Sequence, residues 1–518
     1  MMALWLIGLV LPVILAVPVP EQIHIAIGKD ANSMVVNWVT MEPAGTPHVR
    51  YGTNAASLDQ IQDGVTDDFE YEGIHRYMHA VTLKNLQPGK IYYYKVGTSA
   101  SWSRQLQFKS FPAGEFELRV CVFGDLGYYN GTSLPYLIAA AENDKFDMVI
   151  HVGDIGYDLH SEKGVRGDKY MREMEPLVSR VPYMVIAGNH EDDQKNFSHY
   201  HYRFTMPNYD NQFYSFDLST VHFVGVSTEY YGSFYLYGHQ PVMNQYAWLQ
   251  DDLKKADANR ANIPWIISFQ HRPFYCSNDN SFECRAFENT LVRVGYEEMP
   301  GLESIFDEYG MDFGFWGHEH SYERLLPVFN RTVYNNSGNP YHNARAPSYI
   351  VSGSAGCHTP KASFGPPSPA SAFSYERLLP VFNRTVYNSS GNPYHNARAP
   401  SYIVSGSAGC HTPKASFGPP SPASAFRSDD FGYTLMTVYN KTHIHIQQIS
   451  VEKNETPIDD IWLVKDFNYR MTKENATGVP FPPAIYNKKC SFRDATCRRN
   501  AETYARVARS YRSYGFVE

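Results

Sequence analysis

Five short polar clusters follow one another through the middle of the chain: Gly124-Asp125-Leu126-Gly127, Gly153-Asp154-Ile155-Gly156-Tyr157, Gly188-Asn189-His190-Glu191, His271-Arg272-Pro273 and Gly317-His318-Glu319-His320. Carboxylate, imidazole and amide donors in one set suit first-row transition metals better than calcium or magnesium. Cysteine is absent from the clusters, which disfavours a closed structural zinc site. They also contain no Ser or Cys that could act as a nucleophile. A single Gly-Asp carries no information, whereas five clusters in order over about two hundred residues form a specific pattern.

The elements that must position these donors are legible around them. Apolar runs end in four of the clusters, at Val120–Phe123, Met148–Val152, Tyr183–Ala187 and Met311–Trp316, and the run Trp265–Gln270 leads into the fifth at His271. Helix-like stretches such as Pro135–Ala141 and Gln245–Ala256 lie between them. Strands that alternate with helices and release polar residues at their C-terminal ends predict an α/β layered sheet with its site along that rim. A glycine before Asp125, Asp154, Asn189 and His318 is expected to let the backbone turn sharply off each strand. Upstream, residues 18–112 read as a small β-sandwich. Ile23–Ile27 and Met34–Val39 alternate at period two, Trp38 is a core residue, and Leu86-Gln87-Pro88-Gly89 precedes Tyr92 as in the tyrosine corner of fibronectin type III-like domains.

The 518 residues are ample for a large core, and 43% hydrophobic against 19% charged excludes disorder and a charged coiled coil. A net charge of -8 argues against broad nucleic-acid binding. Residues 1–16 form an apolar run too short to span a membrane comfortably, which reads as a cleaved signal peptide. Nine glycosylation sequons follow, at Asn130, Asn196, Asn330, Asn335, Asn383, Asn388, Asn440, Asn454 and Asn475. The chain is therefore expected to be secreted or lumenal (extracellular or lysosomal), with no membrane association after cleavage. Cys276 with Cys284, and Cys490 with Cys497, are spaced for loop-closing disulfides, while Cys121 reads as a buried strand residue.

Residues 321–373 recur as 374–426 and differ only at Asn336 against Ser389. Each copy holds one plausible strand, Ser348–Ser352 or Ser401–Ser405. A sheet has one slot for such a strand in one register, so either one copy packs and the other forms an excursion, or the second copy is a duplicated exon that the natural protein lacks.

Together the clusters resemble those of a purple acid phosphatase, within the calcineurin-like metallophosphoesterase superfamily, in the long animal form with a plant-like two-domain layout. The implied fold is α/β: a fibronectin type III-like sandwich (18–112), then a metallophosphoesterase β-sandwich flanked by helices (115–465) and a tail (466–518). The tail carries Tyr504, Val507 and Tyr511 at helical spacing and is expected to dock on the catalytic domain. By resemblance, Asp125, Asp154, Tyr157 and His320 hold a ferric ion. Asp154, Asn189, His271 and His318 hold divalent zinc, iron or manganese, with Asp154 bridging. Many superfamily members begin Asp-x-His; here that position is Gly127, and Tyr157 can supply the missing donor as a phenolate. A phenol of pKa near 10 ionises at acidic pH only on a strong Lewis acid such as Fe(III). The resemblance implies attack of a metal-bound hydroxide on phosphate monoesters or anhydrides, in small molecules or phosphoproteins. His190, beside Asn189, would touch phosphate or protonate the leaving group, and Asn189 would also face substrate. Glu191 and Glu323 read as supporting residues. The stretch Cys276–Cys284 lacks the paired histidines of the plant enzymes, so phosphate contacts there must differ. The rival readings are a phosphodiesterase or nucleotide pyrophosphatase of the same superfamily, and an inactive glycoprotein acting through its fibronectin-like domain.

Overall fold

Period-two alternation builds the N-terminal part as two four-stranded sheets. One orders Glu21–Ile27, Met34–Thr40, Ile74–Leu83 and Val65–Tyr71; the other orders Gln60–Asp63, His48–Gly52, Ile91–Gly97 and Leu106–Lys109. Their inner faces bury Ile25, Val36, Trp38, Val49 and Tyr94. Tyr92 forms the expected corner, its hydroxyl oxygen accepting the Gln87 N–H at 2.8 Å. The structure is a computed structural model that describes residues 17–353 apart from 129–130, 208–210, 279–283, 285–289 and 336–338. Beyond these it describes residues 355, 381–382 and 385–386, and 417–480 apart from 419, 468 and 472–477. The expected signal peptide, Cys490, Cys497 and the tail beyond Pro480 lie outside the described residues.

The second part stacks two mixed sheets. A six-stranded sheet runs Tyr183–Ile186, Met148–Val152, Leu118–Phe123, Gly432–Val438, His443–Ser450, Thr456–Val464. A seven-stranded sheet runs Tyr214–Leu218, Val221–Gly225, Trp265–Gln270, Phe313–Trp316, Ser348–Ser352, Tyr322–Leu325, Ser424–Ser428. The central strands of each are parallel and read as near-continuous apolar runs because both faces are covered. Helices Leu134–Glu142 and Gln240–Ala258 extend the two stretches expected from sequence. A Gly124 N–H to Ser352 O bond of 2.8 Å ties the two sheets at their C-terminal rim. Among the described residues no helix is long and apolar enough to cross a membrane.

A buried ionic clamp joins the two parts. Arg76 of the N-terminal sandwich donates to both carboxylate oxygens of Asp168 at 2.8–3.0 Å, and Arg203 donates to Asp168 at 2.7 Å. All three residues are at most 3% exposed. The two guanidiniums outweigh burial and hold the Asp168 carboxyl well below the usual carboxylate range. Removing one member of such a cluster strands a buried charge, a loss of about 3–5 kcal/mol.

The first copy supplies the strand Ser348–Ser352, whereas Ser401–Ser405 of the second copy lies outside the described residues. Tyr322–Leu325 and Ser348–Ser352 come from the first copy, while the strand beside Tyr322–Leu325 on its other flank, Ser424–Ser428, begins in the second. Covalent connectivity is the reason. Ser321 follows His320 directly, so the first copy must open the block. Only the second copy is followed by Arg427, which donates to Ser277 Oγ at 3.1 Å and to Gly418 O at 2.9 Å. Both copies form the same small hairpin, Val328–Phe329 with Thr332–Val333 and Val381–Phe382 with Thr385–Val386.

Deleting residues 356–408, one 53-residue repeat length, joins Ala355 to Gly409 and recreates a single copy with no new junction. The shortened protein is expected to be secreted, and to melt at the temperature of the full chain or above it, because a long closure is removed; a lower melting temperature would contradict this closure. His222 offers a second test. Its ring contacts Asp217 at 2.6 Å and Asp252 at 2.9 Å. Burial pulls the imidazole down, but the two carboxylates outweigh it and lift its pKa to about 9. The stabilisation is complete below the unfolded value near 6.5 and lost as pH rises through 9. His222→Gln should lower the urea midpoint at about pH 6 and converge on the parent above about pH 10.

Candidate metal centre

The C-terminal ends of the parallel strands turn inward at the rim where the two sheets meet, and the backbone there is constrained. Asp125, Asp154, Tyr157 and His318 all sit at positive φ, between 50° and 72°. Non-glycine residues in that region carry strain that clusters at functional sites. The expectation that the preceding glycines make the turns needs correction. Of those four only Gly153 has positive φ, at 87°. Gly188 is required by crowding instead, since a Cβ there would lie 2.3 Å from Asp154 Oδ1. Glu191 pins two of the turns by accepting the N–H groups of Asp154, Ile155 and Gly188 at 2.8–2.9 Å.

The donors converge in two groups that share Asp154. One group is Asp154, His271 and His318, the other Asp125, Asp154 and His320, with the candidate ligand atoms of each within 4.8 Å of one another. Asn189 joins the first, its Oδ1 3.1 Å from His271 Nε2. Tyr157 joins the second, its hydroxyl 2.6 Å from His320 Nε2 and 3.3 Å from Asp125 Oδ1. All seven residues proposed from sequence as ligands are therefore brought together, from five separate turns.

The donor set fits a cation. His271 Nδ1 lies 2.8 Å from the Val152 carbonyl, which can only accept, so Nδ1 carries the hydrogen. Its Nε2 lone pair then faces Asn189 Oδ1, Asp154 Oδ1 at 3.3 Å and His318 Nδ1 at 3.2 Å. Crowded acceptors need a proton or a metal among them. In the bare protein the proton is favoured: burial pulls His271 down, but Asp154 outweighs it and lifts the pKa to about 10. Burial, then Asp125 and Asp154, push the Tyr157 phenol well above its ordinary value, so a strongly polarising ion is needed to ionise it.

The roles of four neighbours, Asp158, Arg166, Glu229 and Arg272, escaped the sequence reading. His190 Nδ1 bonds Asp158 at 2.9 Å, and Asp158 lies 3.6 Å from Arg166, which also donates to the Tyr157 carbonyl at 3.0 Å. His190 Nε2 is therefore the nitrogen on the site side, 4.0 Å from Asp154 Oδ2. Burial lowers the His190 pKa, but Asp154 and then Asp158 outweigh it and lift it to about 9. Arg272 donates from Nε to both oxygens of Glu229 at 3.0–3.1 Å, placing Nη1 3.5 Å from His318 Nε2. The only available signal was adjacency: Asp158 follows Tyr157, and Arg272 follows His271.

Cys276 and Cys284 are disulfide-bonded, and Cys121 is free and buried. Glu323 accepts from Ser277 N and Oγ at 2.8–2.9 Å, a supporting contact beneath the rim. Asn196, Asn330, Asn335, Asn440 and Asn454 lie at or partly at the surface, whereas Asn130, Asn383, Asn388 and Asn475 lie outside the described residues.

Two mixed sheets with a shared-carboxylate donor cluster at their common rim define a calcineurin-like metallophosphoesterase. Family models agree and are more specific: a purple acid phosphatase N-terminal domain over residues 20–110, calcineurin-like phosphoesterase over 118–322, and an iron/zinc purple acid phosphatase-like C-terminal region over 399–460. The chain is 38% identical over 461 residues to mouse acid phosphatase type 7, covering 87% of this chain and 92% of that one. The human counterpart gives 38% over 462 residues, covering 87% and 92%. Purple acid phosphatase from yellow lupin seeds shares the fold, with TM-score 0.65 and 21% identity over 87% of this chain and 75% of that one. The chain belongs to the purple acid phosphatases, metal-dependent phosphoric ester hydrolases with a binuclear centre. The stretch between the second and third family models, 323–398, falls within the duplicated block.

Asp158→Asn tests the His190 pairing. Losing the carboxylate lowers the imidazole pKa, so the acid form disappears at lower pH. Phosphate-ester hydrolysis should fall about tenfold and its alkaline limb move toward acid, with metal content unchanged. An unmoved limb would mean that Asp158 does not tune His190.

Proposed function

We propose that this chain is a secreted or lumenal acid phosphatase that hydrolyses phosphate monoesters or anhydrides of small molecules or phosphoproteins at an Fe(III)–divalent pair. Asp125, Asp154, Tyr157 and His320 would hold the ferric ion; Asp154, Asn189, His271 and His318 would hold zinc, iron or manganese. When bound, such a pair polarises a phosphoryl oxygen and acidifies a water. The carrying observation is the crowding of lone pairs about Asp154, with a tyrosine hydroxyl in the cluster that also contains Asp125 and His320.

The chain's own groups do the rest. His190 is held by Asp158 through Nδ1 and presents Nε2–H for the leaving oxygen, and general acid help of this kind contributes about 10²–10⁴-fold. Arg272, fixed by Glu229, adds positive charge beside His318, which suits a phosphate dianion where the plant-type paired histidines are missing. Gly153 and Gly188 keep the Asp154 turn narrow enough for both donor groups to share one carboxylate. The phosphodiesterase and inactive-glycoprotein readings gain no specific observation over this one.

The test is metal analysis with a visible spectrum and parallel assays on mono- and diesters. Expected are about two metals per chain including iron, a visible band that Tyr157→Phe abolishes, and faster turnover of monoesters. Full activity in a colourless, iron-free protein would overturn the ferric assignment. Preference for diesters would overturn the substrate class.

A further inference from the structure

Between the strand Val221–Gly225 and the long helix Gln240–Ala258, the chain crosses the rim as two short helical turns, Glu229–Gly232 and Phe234–Tyr237. The first turn is joined to the metal centre. Glu229 is buried and holds the Arg272 guanidinium, and Thr228 Oγ1 accepts the Arg272 backbone N–H at 2.9 Å. Gly232 passes so close that a Cβ there would lie 3.3–3.5 Å from that guanidinium. The second turn is fastened to the other side of the site. Asp192, two residues beyond His190, accepts the Ser233 hydroxyl through Oδ2 at 2.9 Å and the Tyr237 hydroxyl through Oδ1. Phe234 anchors the turn from behind, its ring 5.7 Å from that of Tyr296. Residues 229–237 thus form a braced wall that runs from Arg272 to the His190 turn.

Two side chains of this wall stand apart from the rest. Tyr235 is 80% exposed, more than any other large apolar side chain among the described residues, and Leu236 beside it is 45% exposed. The other tyrosines of the stretch are engaged in packing: Tyr231 donates to the Pro300 carbonyl at 2.6 Å, and Tyr230 and Tyr237 meet edge to face at 5.9 Å. An apolar pair presented to solvent by a turn tied down on both sides suits contact with a ligand. The position decides which part of the ligand. His190 Nε2 is the proton donor proposed above for the leaving oxygen, so the leaving group departs on the side where Asp192 fastens the turn of Tyr235. Arg272, at the far end of the wall beside His318, suits the phosphate itself. A monoester bound between the two extends its leaving group along the wall toward Tyr235 and Leu236.

We propose that Tyr235, with Leu236 beside it, is a specificity-determining residue whose ring receives the leaving group and favours phosphate esters of aromatic alcohols over those of small polar alcohols. An aromatic leaving group stacks on the Tyr235 ring and covers Leu236, whereas a hydroxylated alkyl group gains neither contact. Bound substrate and transition state make this contact alike, so it acts on KM more than on kcat. The inference rests on the monoester reading above and on His190 as the acid.

The experiment compares the metal-loaded full chain with Tyr235→Ala and Tyr235→Phe on phenyl phosphate and glycerol 2-phosphate. Reading each variant against the parent cancels the difference in intrinsic reactivity between the two esters. In Tyr235→Ala the ratio of kcat/KM, phenyl over glycerol ester, should fall about three- to tenfold, chiefly through a higher KM for phenyl phosphate. Tyr235→Phe keeps the ring and should keep the ratio. Benzylphosphonate and methylphosphonate supply a readout of binding without chemistry, and the ratio of their inhibition constants should shift by the same factor. An unchanged ratio in Tyr235→Ala overturns the proposal while the phosphatase reading stands. So does a loss shared equally by both esters, because the ring would then be structural. A parent that prefers diesters, or hydrolyses neither monoester, overturns the reading beneath the proposal and the proposal with it.

Discussion

One carboxylate has to serve two clusters at once, and the rim is arranged around that demand. Asp154 sits at positive φ, with Glu191 holding its N–H and the His190 N–H donating to its Oδ1. Imidazole, amide and carboxylate groups then face one another across about 3 Å, a buried arrangement that needs a proton or a cation among them. The strain at Asp125, Tyr157 and His318 follows from the same demand, because each donor must leave its strand in a direction ordinary backbone does not offer.

The N-terminal sandwich takes part in this arrangement at one remove. Arg76 donates to the Lys163 carbonyl at 2.8 Å as well as to Asp168, and Arg203 donates to the Gly164 carbonyl at 3.1 Å. Those carbonyls end the loop that begins at Tyr157 and Asp158. The buried ionic clamp therefore fixes the far end of a loop whose near end supplies a ligand and the partner of His190. A domain that reads as an appendage in sequence is part of the frame of the site.

The duplicated block shows how covalent connectivity disciplines a redundant sequence. Two nearly identical segments offer the same strands, yet the block must leave His320 at one end and reach Gly432 at the other. The sheet accordingly takes Tyr322–Leu325 and Ser348–Ser352 from the first copy and the start of Ser424–Ser428 from the second. Glu323 seals the join by accepting from Ser424 as well as Ser277.

Much of this protein was legible in the chain itself. Period-two alternation marked the sandwich, apolar runs marked the parallel strands, and five clusters marked the donors, because residue type and spacing carry those signals locally. Legibility stopped where the cause was distance in space. Nothing near Asp158 announced its bond to His190, and nothing near Arg272 announced Glu229. Of the four glycines before the ligands only Gly153 adopts positive φ, which the ligands Asp125, Asp154 and His318 adopt themselves, since only packing decides which residue does so. Sequence alone determined which atoms could bind a metal. Tertiary structure decided that Asp154 stands between both groups, that Arg76 holds the loop, and that the two repeat copies share one sheet, because each depends on contacts between segments that the chain order keeps apart.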